Sequence, residues 1–221
     1  MKPLAIDLFC GLGGWTEALL AEGYFVVGFD IERHEYGEHR YPGQLVIQDV
    51  LTLHGSQFRD AALIVASPPC QEYSYMAMPW SLAKAKAAAI RADETGAELE
   101  RLNRLFNACF RIQREACEAA GRHIPMVVEN VRGAIPWVGR PRMSYGAFHF
   151  WGDTPALMPS GARGKGFSGF KGFKDFHDCE AARKWSSRDP RRKQWSAEIA
   201  KIPPEIAMWI AKCFKPISSA A

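Results

Sequence analysis

Apolar residues fall along this chain in short runs rather than in strict alternation. Residues 4–9, 24–29, 44–47, 63–66 and 125–128 form five such runs, each closed by glycine, proline or a carboxylate and most followed by a helix-compatible stretch. Runs of this length between helical segments predict parallel strands joined by crossover helices and buried on both faces. Between the fourth and fifth runs, Leu99, Leu102, Leu105, Phe106, Cys109 and Ile112 recur at helical spacing. That spacing predicts one long helix over residues 97–120, its apolar stripe facing the core, with a shorter helical or irregular piece from Trp80 before it. A last amphipathic helix is expected over residues 205–214, behind Pro203 and Pro204. After Trp137 the texture turns to glycine, proline, aromatic and basic residues and reads as loop-rich, and residues 218–221 read as a frayed end. The class is α/β, a mostly parallel sheet with helices on both faces.

In such sheets ligands bind beyond the carboxyl ends of the strands, so the residue after each run carries more information than the run. In order these are Cys10-Gly11-Leu12-Gly13-Gly14, Asp30, Asp49, Ser67-Pro68-Pro69-Cys70-Gln71 and Glu129-Asn130. The glycines at a strand-to-helix turn are either a tight turn or a place where a ligand approaches the backbone and a helix N-terminus. Asp30, about twenty residues on, stands where a carboxylate accepts from ribose hydroxyls. Pro68 and Pro69 fix the backbone before Cys70, which suits a presented nucleophile. The other cysteines sit in apolar or helical contexts and read as packing residues. Glu129 either caps a following helix or sits in the crevice, where a partly protonated carboxyl donates to a substrate ring nitrogen.

At 221 residues, 48% hydrophobic and 24% charged, the chain fits one α/β domain with a modest insertion and not a disordered or collagenous one. The net charge of +4 is unevenly spread: residues 160–195 hold ten Lys/Arg against four Asp/Glu, and the remainder is slightly acidic. Six cysteines without a CxxC pair, and no charged-then-apolar leader, point to the cytoplasm. No apolar stretch approaches the roughly 20 residues needed to cross a bilayer.

Asp7-Leu-Phe-Cys-Gly-Leu-Gly-Gly14, Pro69-Cys70-Gln71 and Glu129-Asn130-Val131, in this order on successive strand ends, resemble the DNA (cytosine-5)-methyltransferases. The likeness covers residues 2–132, with an echo at Ile202-Pro-Pro-Glu-Ile-Ala207, similar to the family's closing motif beside the first strand. It implies a Rossmann-like methyltransferase fold and S-adenosylmethionine as cofactor. Asp7, Phe9, Cys10, Gly11, Gly13, Gly14 and Pro69 would line its site, with Asp30 on the ribose, Ile31 against the adenine, Asp49 on the adenine amino group and Val50 beside it. The resemblance makes Cys70 the nucleophile toward C6 of a flipped cytosine and Glu129 the group on N3 and the exocyclic amine. Gln71, Glu72, Tyr73, Ser74 and Tyr75 would lie on the closing loop, and Gln71, Ser74 and Asn130 would meet DNA.

The chain also departs from the family. Residues 72–80 lack the usual glycine of the mobile loop. Where the family carries Tyr-Gly-x-Pro-Gln-x-Arg-x-Arg, this sequence has Tyr145-Gly-Ala-Phe-His-Phe-Trp-Gly-Asp153, with His149, Trp151 and Asp153 in place of the glutamine and arginines. Arg140 and Arg142 are substitutes near by, and His149 reads either as a site residue or as a satisfied structural histidine. Lys165, Lys171, Lys174, Arg183, Lys184, Arg188, Arg191, Arg192 and Lys193, interleaved with Phe167, Phe170, Phe173 and Phe176, form a segment able to neutralise phosphates and stack on bases, or else a solvated loop. So short a segment predicts a short or degenerate target.

The expected organisation is a catalytic core over residues 1–158, a DNA-recognition segment over 159–195 and a returning helix over 196–221. The resemblance implies double-stranded DNA as the partner, and no metal, no membrane and a monomeric chain are expected. Two other readings keep the motifs: the same chemistry on tRNA, disfavoured by the lack of that branch's Cys-Phe-Thr element, and a DNA-binding relative without turnover. A nicotinamide dehydrogenase shares the fold but needs neither Pro-Cys-Gln nor Glu-Asn-Val.

Overall fold

A computed structural model describes residues 1–74, 79–157, 185–186 and 189–217. The five apolar runs become β1 (Leu4–Leu8), β2 (Phe25–Asp30), β5 (Gln44–Ile47), β6 (Ala61–Ala66) and β7 (Met126–Val131), with a small ribbon of β3 (Glu35–Tyr36) and β4 (His39–Arg40) between the second and third. The long helix α3 spans Ala97–Ala120, between Gly96 and Gly121, both left-handed, which start and stop it where other residues would be strained. Before it runs α2 (Trp80–Ala92), and α1 (Gly14–Ala21) follows the glycine loop. A one-turn α4 (Ile135–Val138), then α5 (Pro190–Ile199) and α6 (Pro204–Cys213), complete the helices described.

The main sheet has the order β5-β2-β1-β6-β7-β9-β8, where β8 is Met143–Tyr145 and β9 is Phe148–Gly152. From β5 to β7 every pairing is parallel, while β9 is antiparallel to both neighbours. The chain winds outward from β1 through β2 to β5, then returns to start again at β6. The switch point therefore lies between β1 and β6, whose carboxyl ends carry the glycine loop and the Pro-Pro-Cys segment. This is the Rossmann-like fold expected of the methyltransferase resemblance, mostly parallel and covered on both faces.

Two cores sandwich the sheet. On one face, Leu8, Ile64, Met126 and Val128 pack with Phe106, Cys109 and Ile112 of α3. On the other, Ala5, Val65 and Val127 pack with Trp15 and Leu19 of α1 and with Ile206 and Ile210 of α6. Helix α6 is pinned by the Tyr24 hydroxyl, which donates to the Ala211 carbonyl at 2.9 Å.

The β8–β9 hairpin corrects the loop-rich reading of the region after Trp137. Its two-residue turn places Gly146 at φ 59, and Phe148 and Phe150 enter one core while Trp151 enters the other. Because β9 offers β7 a partner, β7 continues past the apolar run, and Glu129 and Asn130 lie inside the strand opposite Phe150 and His149. Glu129 therefore caps no helix. No helix among the described residues is long and apolar enough to cross a membrane.

Candidate active site

The glycine loop leaves β1 through Phe9, whose φ of 58 is unusual for a residue with a side chain and turns the backbone sharply at the strand end. Its three glycines differ in use. A Cβ at Gly11 would meet nothing within 4 Å, so the loop is open there to a ligand. At Gly13 it would strike Pro42 at 2.5 Å, and at Gly14 the Ile202 backbone nitrogen at 2.6 Å. Those two glycines are required by the approach of the chain itself. Cys10 points away from the open side: its thiol is buried close to Gly28 and Tyr41, and burial with Asp7 and Asp30 pushes its pKa upward.

Asp30, at the end of β2, accepts from the Gly11 amide through Oδ2 at 2.9 Å and from the Ile31 amide through Oδ1 at 2.8 Å. His34 Nε2 lies 3.6 Å from Oδ1. Burial opposes ionisation of Asp30, but hydrogen bonds from His34, Gly11 and Glu32 outweigh it and hold the carboxyl below its ordinary range. The same bond holds the His34 imidazole above its own. Ile31, 70% exposed, leaves an apolar surface at the mouth of this anionic corner. Asp49 accepts from the Leu51 amide at 2.9 Å through Oδ1 and caps the 3-10 turn Val50–Thr52. An open glycine, an ionised carboxylate and an exposed aliphatic side chain together fit a nucleoside-bearing cofactor.

Two residues expected here stand elsewhere. Val50 is buried in the first core. Asp7 is wholly buried beneath the loop, where it accepts from the Thr16 hydroxyl at 2.6 Å; Thr16 also lies 2.6 Å from the Tyr41 hydroxyl. Asp7 Oδ1 has no partner among the described residues. Burial pushes the Asp7 carboxyl up to about 8. Asp7 supports the loop from below through Thr16, and the Val50 side chain packs in the core behind its 3-10 turn.

Across the switch point, Pro69 and Gln71 are exposed, Cys70 is half-buried and Glu129 is 7% exposed. Burial, and then the Glu129 charge, push the Cys70 thiol up to about 11. Burial pushes Glu129 up to about 8, against a hydrogen bond from Ser67 that pulls it down. The structure thus brings the thiol and the carboxyl into mutual electrostatic range.

The loop bearing Cys70 is anchored on both sides. Asn130, 1% exposed, donates through Nδ2 to the Pro68 carbonyl at 2.9 Å and accepts from the Val131 amide through Oδ1. Its amide is used within the protein, which makes it a strut for the loop. Tyr73 is buried, and its hydroxyl donates to the Leu102 carbonyl and to Asn103 Oδ1 at 3.1 and 2.9 Å. Gly133 lies directly under Tyr73: a Cβ there would come within 2.0 Å of the Tyr73 carbonyl oxygen. Glu72 is held by Lys86 at 2.6 Å and Arg101 at 3.2 Å. Ser74 is half-buried, and Tyr75 lies outside the described residues.

His149 is buried, with Nδ1 2.8 Å from the Ser144 hydroxyl. Burial, then Arg132, lower its pKa. Asp153 accepts from the Met126 amide at 3.0 Å and from Gln113 at 2.8 Å, and Trp151 Nε1 donates to the Gly139 carbonyl. The three residues standing in place of the family's glutamine and arginines are thus bound within the fold. Arg140 and Arg142 are exposed, as is Arg132, which directly follows Val131 and acts on His149. In the sequence, the signal that points to Arg132 is its place directly after Glu129-Asn130-Val131.

Of the basic segment, Lys165, Lys171, Lys174, Arg183, Lys184 and Arg188, with the four phenylalanines and Cys179, lie outside the described residues. Arg191 pairs with Asp189 at 2.8 Å and stacks over Trp185, and Arg192 donates to the Trp185 carbonyl. Their helix, α5, crosses the division drawn between residues 195 and 196. It meets the β3–β4 ribbon, where His39 Nδ1 lies 2.8 Å from Glu198 Oε1, and Lys193 acts on His34 beside Asp30. Cys213, expected to be a packing residue, is exposed.

Solved structures similar to this chain include a prophage-encoded Escherichia coli protein described as a DNA modification methyltransferase, at 22% identity and a TM-score of 0.40, covering 61% of this chain and 33% of that one. They also include the Dnmt2 methyltransferase of S. pombe (16%, TM-score 0.37, 62% and 37% covered) and the EhMeth methyltransferase of Entamoeba histolytica (17%, 0.37, 62% and 41%). The chain thus corresponds to between a third and two fifths of the length of these structures. No curated protein shows significant sequence similarity to it. The family model for C-5 cytosine-specific DNA methylase matches residues 4–114, half of the chain, from the first strand through the glycine loop and Pro-Pro-Cys into α3. The chain belongs to the C-5 cytosine-specific DNA methylase family.

Proposed function

We propose that this protein transfers a methyl group from S-adenosylmethionine to C5 of cytosine in double-stranded DNA, with Cys70 as nucleophile and Glu129 as the acid that holds the ring. The observation that carries this reading is the placement of a thiol and a buried carboxyl at the carboxyl ends of neighbouring strands, across the switch point from the glycine loop.

The cofactor supplies an electrophilic methyl group bound to a sulfonium. Gly11, Asp30 and Ile31 would hold it, with Asp49 at the adenine end. Cys70 Sγ adds as the thiolate to C6 of a cytosine rotated out of the duplex, since the stacked ring hides that atom. Glu129, neutral near pH 7 with a pKa of about 8, donates to N3 and stabilises the charge that builds as aromaticity is lost. Its neutral form also favours the thiolate beside it, because an ionised Glu129 raises the Cys70 pKa. C5 then takes the methyl group, loses its proton to a base, and expels Cys70 as 5-methylcytosine forms.

Asn130 and Tyr73 keep Cys70 in place during this cycle. Arg191, Arg192 and the basic residues before them would supply phosphate contacts, and Gln71 and Ser74 would border the extruded base.

The test is to expose unmethylated DNA to the protein and S-adenosylmethionine, digest to nucleosides and look for 5-methylcytosine by mass spectrometry, beside Cys70→Ala. Product with intact Cys70 alone supports reaction and nucleophile together. Product on tRNA but not DNA transfers the same chemistry to RNA. Binding of both ligands without product on either acceptor leaves a binding protein.

A further inference from the structure

Helix α2 is packed along one side and charged along the next. Ala83, Ala87 and Ile90 line one small cavity with Tyr73, Leu102 and Trp137, so its inner face lies over the anchor of the loop that bears Cys70. Lys86, at the edge of that face, is bonded to Glu72 at 2.6 Å. Residues 80–92 include Lys84, Lys86 and Arg91 and no acidic side chain. At about 100° per residue, Trp80, Lys84 and Arg91 fall within one arc of about 40° beside the inner face. Trp80 is 61% exposed, so this edge of the helix meets solvent.

Both cations on the arc are placed by aromatic rings. Lys84 Nζ lies over Trp80, 5.2 Å from the ring centroid, and the Arg91 guanidinium lies over Trp137, also at 5.2 Å. Such contacts restrict a long side chain while leaving its N–H donors open. Neither Lys84 nor Arg91 makes a hydrogen bond or an ion pair with any described residue. Lys86 and Arg101 differ, because both are engaged by Glu72. Cations that are steered but unsatisfied suit anionic oxygens arriving from outside. Seven residues set the two about 10 Å apart along the helix, which fits charges arranged in a row better than one compact anion. The place favours a nucleic-acid strand. A cytosine extruded to Cys70 stays bonded to its strand, so the neighbouring phosphates run along the elements that frame the loop.

We propose that the edge of α2 formed by Trp80, Lys84 and Arg91 is a docking surface for the phosphate backbone of duplex DNA beside the target cytosine, with Lys84 and Arg91 each on one phosphate. This rests on the DNA substrate proposed above, and its test reads binding apart from turnover.

Binding of the full-length protein to an unmethylated duplex is followed by fluorescence anisotropy between about 50 and 200 mM salt. Lys84→Ala and Arg91→Ala each lower affinity about three- to tenfold and make the slope of log K against log salt shallower by about one, and the double variant makes it shallower by about two. Arg91→Lys keeps the charge and the wild-type slope. The losses are equal on duplexes of different sequence, because phosphates carry no sequence information. Trp80→Ala leaves both charges in place, so affinity falls a few fold at an unchanged slope. Lys2→Ala, exposed before β1 at the opposite end of the sheet, changes neither. In the methylation assay the double variant raises KM for DNA while kcat stays within about twofold.

A double variant with the wild-type slope would overturn the docking surface and leave methyl transfer standing. A wild-type protein that binds DNA but forms no 5-methylcytosine sinks the catalytic reading alone, and the slopes still decide the surface. If the wild type binds no duplex DNA, the surface falls whichever acceptor is methylated.

Discussion

Asp7 and Glu129 are the same kind of group in two parts of one crevice. Both carboxyls are buried, and burial pushes both up to about 8. Asp7 is sealed under the glycine loop with the Thr16 and Tyr41 hydroxyls around it, and one of its oxygens is unpartnered. Glu129 shares its space with the Cys70 thiol and raises it. A displaced pKa therefore marks burial in both places and, under the proposed function, chemistry in only one, and the difference lies in what else reaches the group.

The largest separation between them is expected in the rate of methyl transfer. Glu129→Gln removes the proton donor and should cost about 10²–10⁴-fold in single-turnover rate on DNA. Asp7→Asn keeps an acceptor for Thr16 and should stay within about tenfold of wild type. Cys70→Ala should form no product. An Asp7→Asn protein that folds yet is as slow as Glu129→Gln would break the contrast, because Asp7 would then act on the reacting atoms.

Stability against pH should treat the two alike. Each group has a folded pKa above its unfolded value, so the folded state binds protons more tightly and its advantage is complete below about pH 4. That advantage is lost as pH rises through about 8. Urea unfolding between pH 5 and 8.5 should show stability falling with pH. Either single variant, Asp7→Asn or Glu129→Gln, should flatten part of the slope, and the double variant most of it. A flat wild-type profile would sink the claim that both are protonated at neutral pH.

Much of the frame was legible because its signals are local. The strand runs needed only apolar residues bounded by breakers, and Gly96 and Gly121 bracket a stripe that repeats at helical spacing. What escaped depends on long-range pairing. Phe148-His-Phe-Trp reads as aromatic loop until β7 is known to need a partner, and only that pairing puts Glu129 within a strand. Gly13 and Gly14 looked equivalent to Gly11, yet their neighbours, Pro42 and Ile202, come from distant sequence. Trp15 and Ser67 are 52 residues apart, and neither carries a motif that announces a bond between them. The basic segment was clear as charge and silent as geometry.

Position around Cys70 offers a sharper test than composition. Gly133 lets the Tyr73 carbonyl approach within a distance that any Cβ would forbid. Gly133→Ala must shift the loop, with a loss of about 1–3 kcal/mol in stability. Since that loop carries Cys70 and not the Asp7 side of the crevice, methyl transfer should slow by more than S-adenosylmethionine binding weakens. Equal loss in both would mean that the two sides move as one body.

Tyr73→Phe asks the same question with a smaller push. The hydroxyl shares one proton between the Leu102 carbonyl and Asn103 Oδ1, and the ring stays buried when it is removed. Asn103 keeps its own bond to the Trp137 carbonyl at 2.9 Å, so its amide nitrogen is not released. The cost is that of a buried acceptor losing its donor, about 1 kcal/mol, read as a shift of the urea midpoint at constant m. Calorimetric affinity for S-adenosylmethionine should not change, because Gly11, Asp30 and Ile31 are untouched, while the methylation rate should drop by a few fold as Cys70 gains freedom. An affinity loss as large as the rate loss would show that anchoring at Tyr73 reaches across the switch point, and the Glu129 and Asp7 sides would then have to be treated as one coupled site.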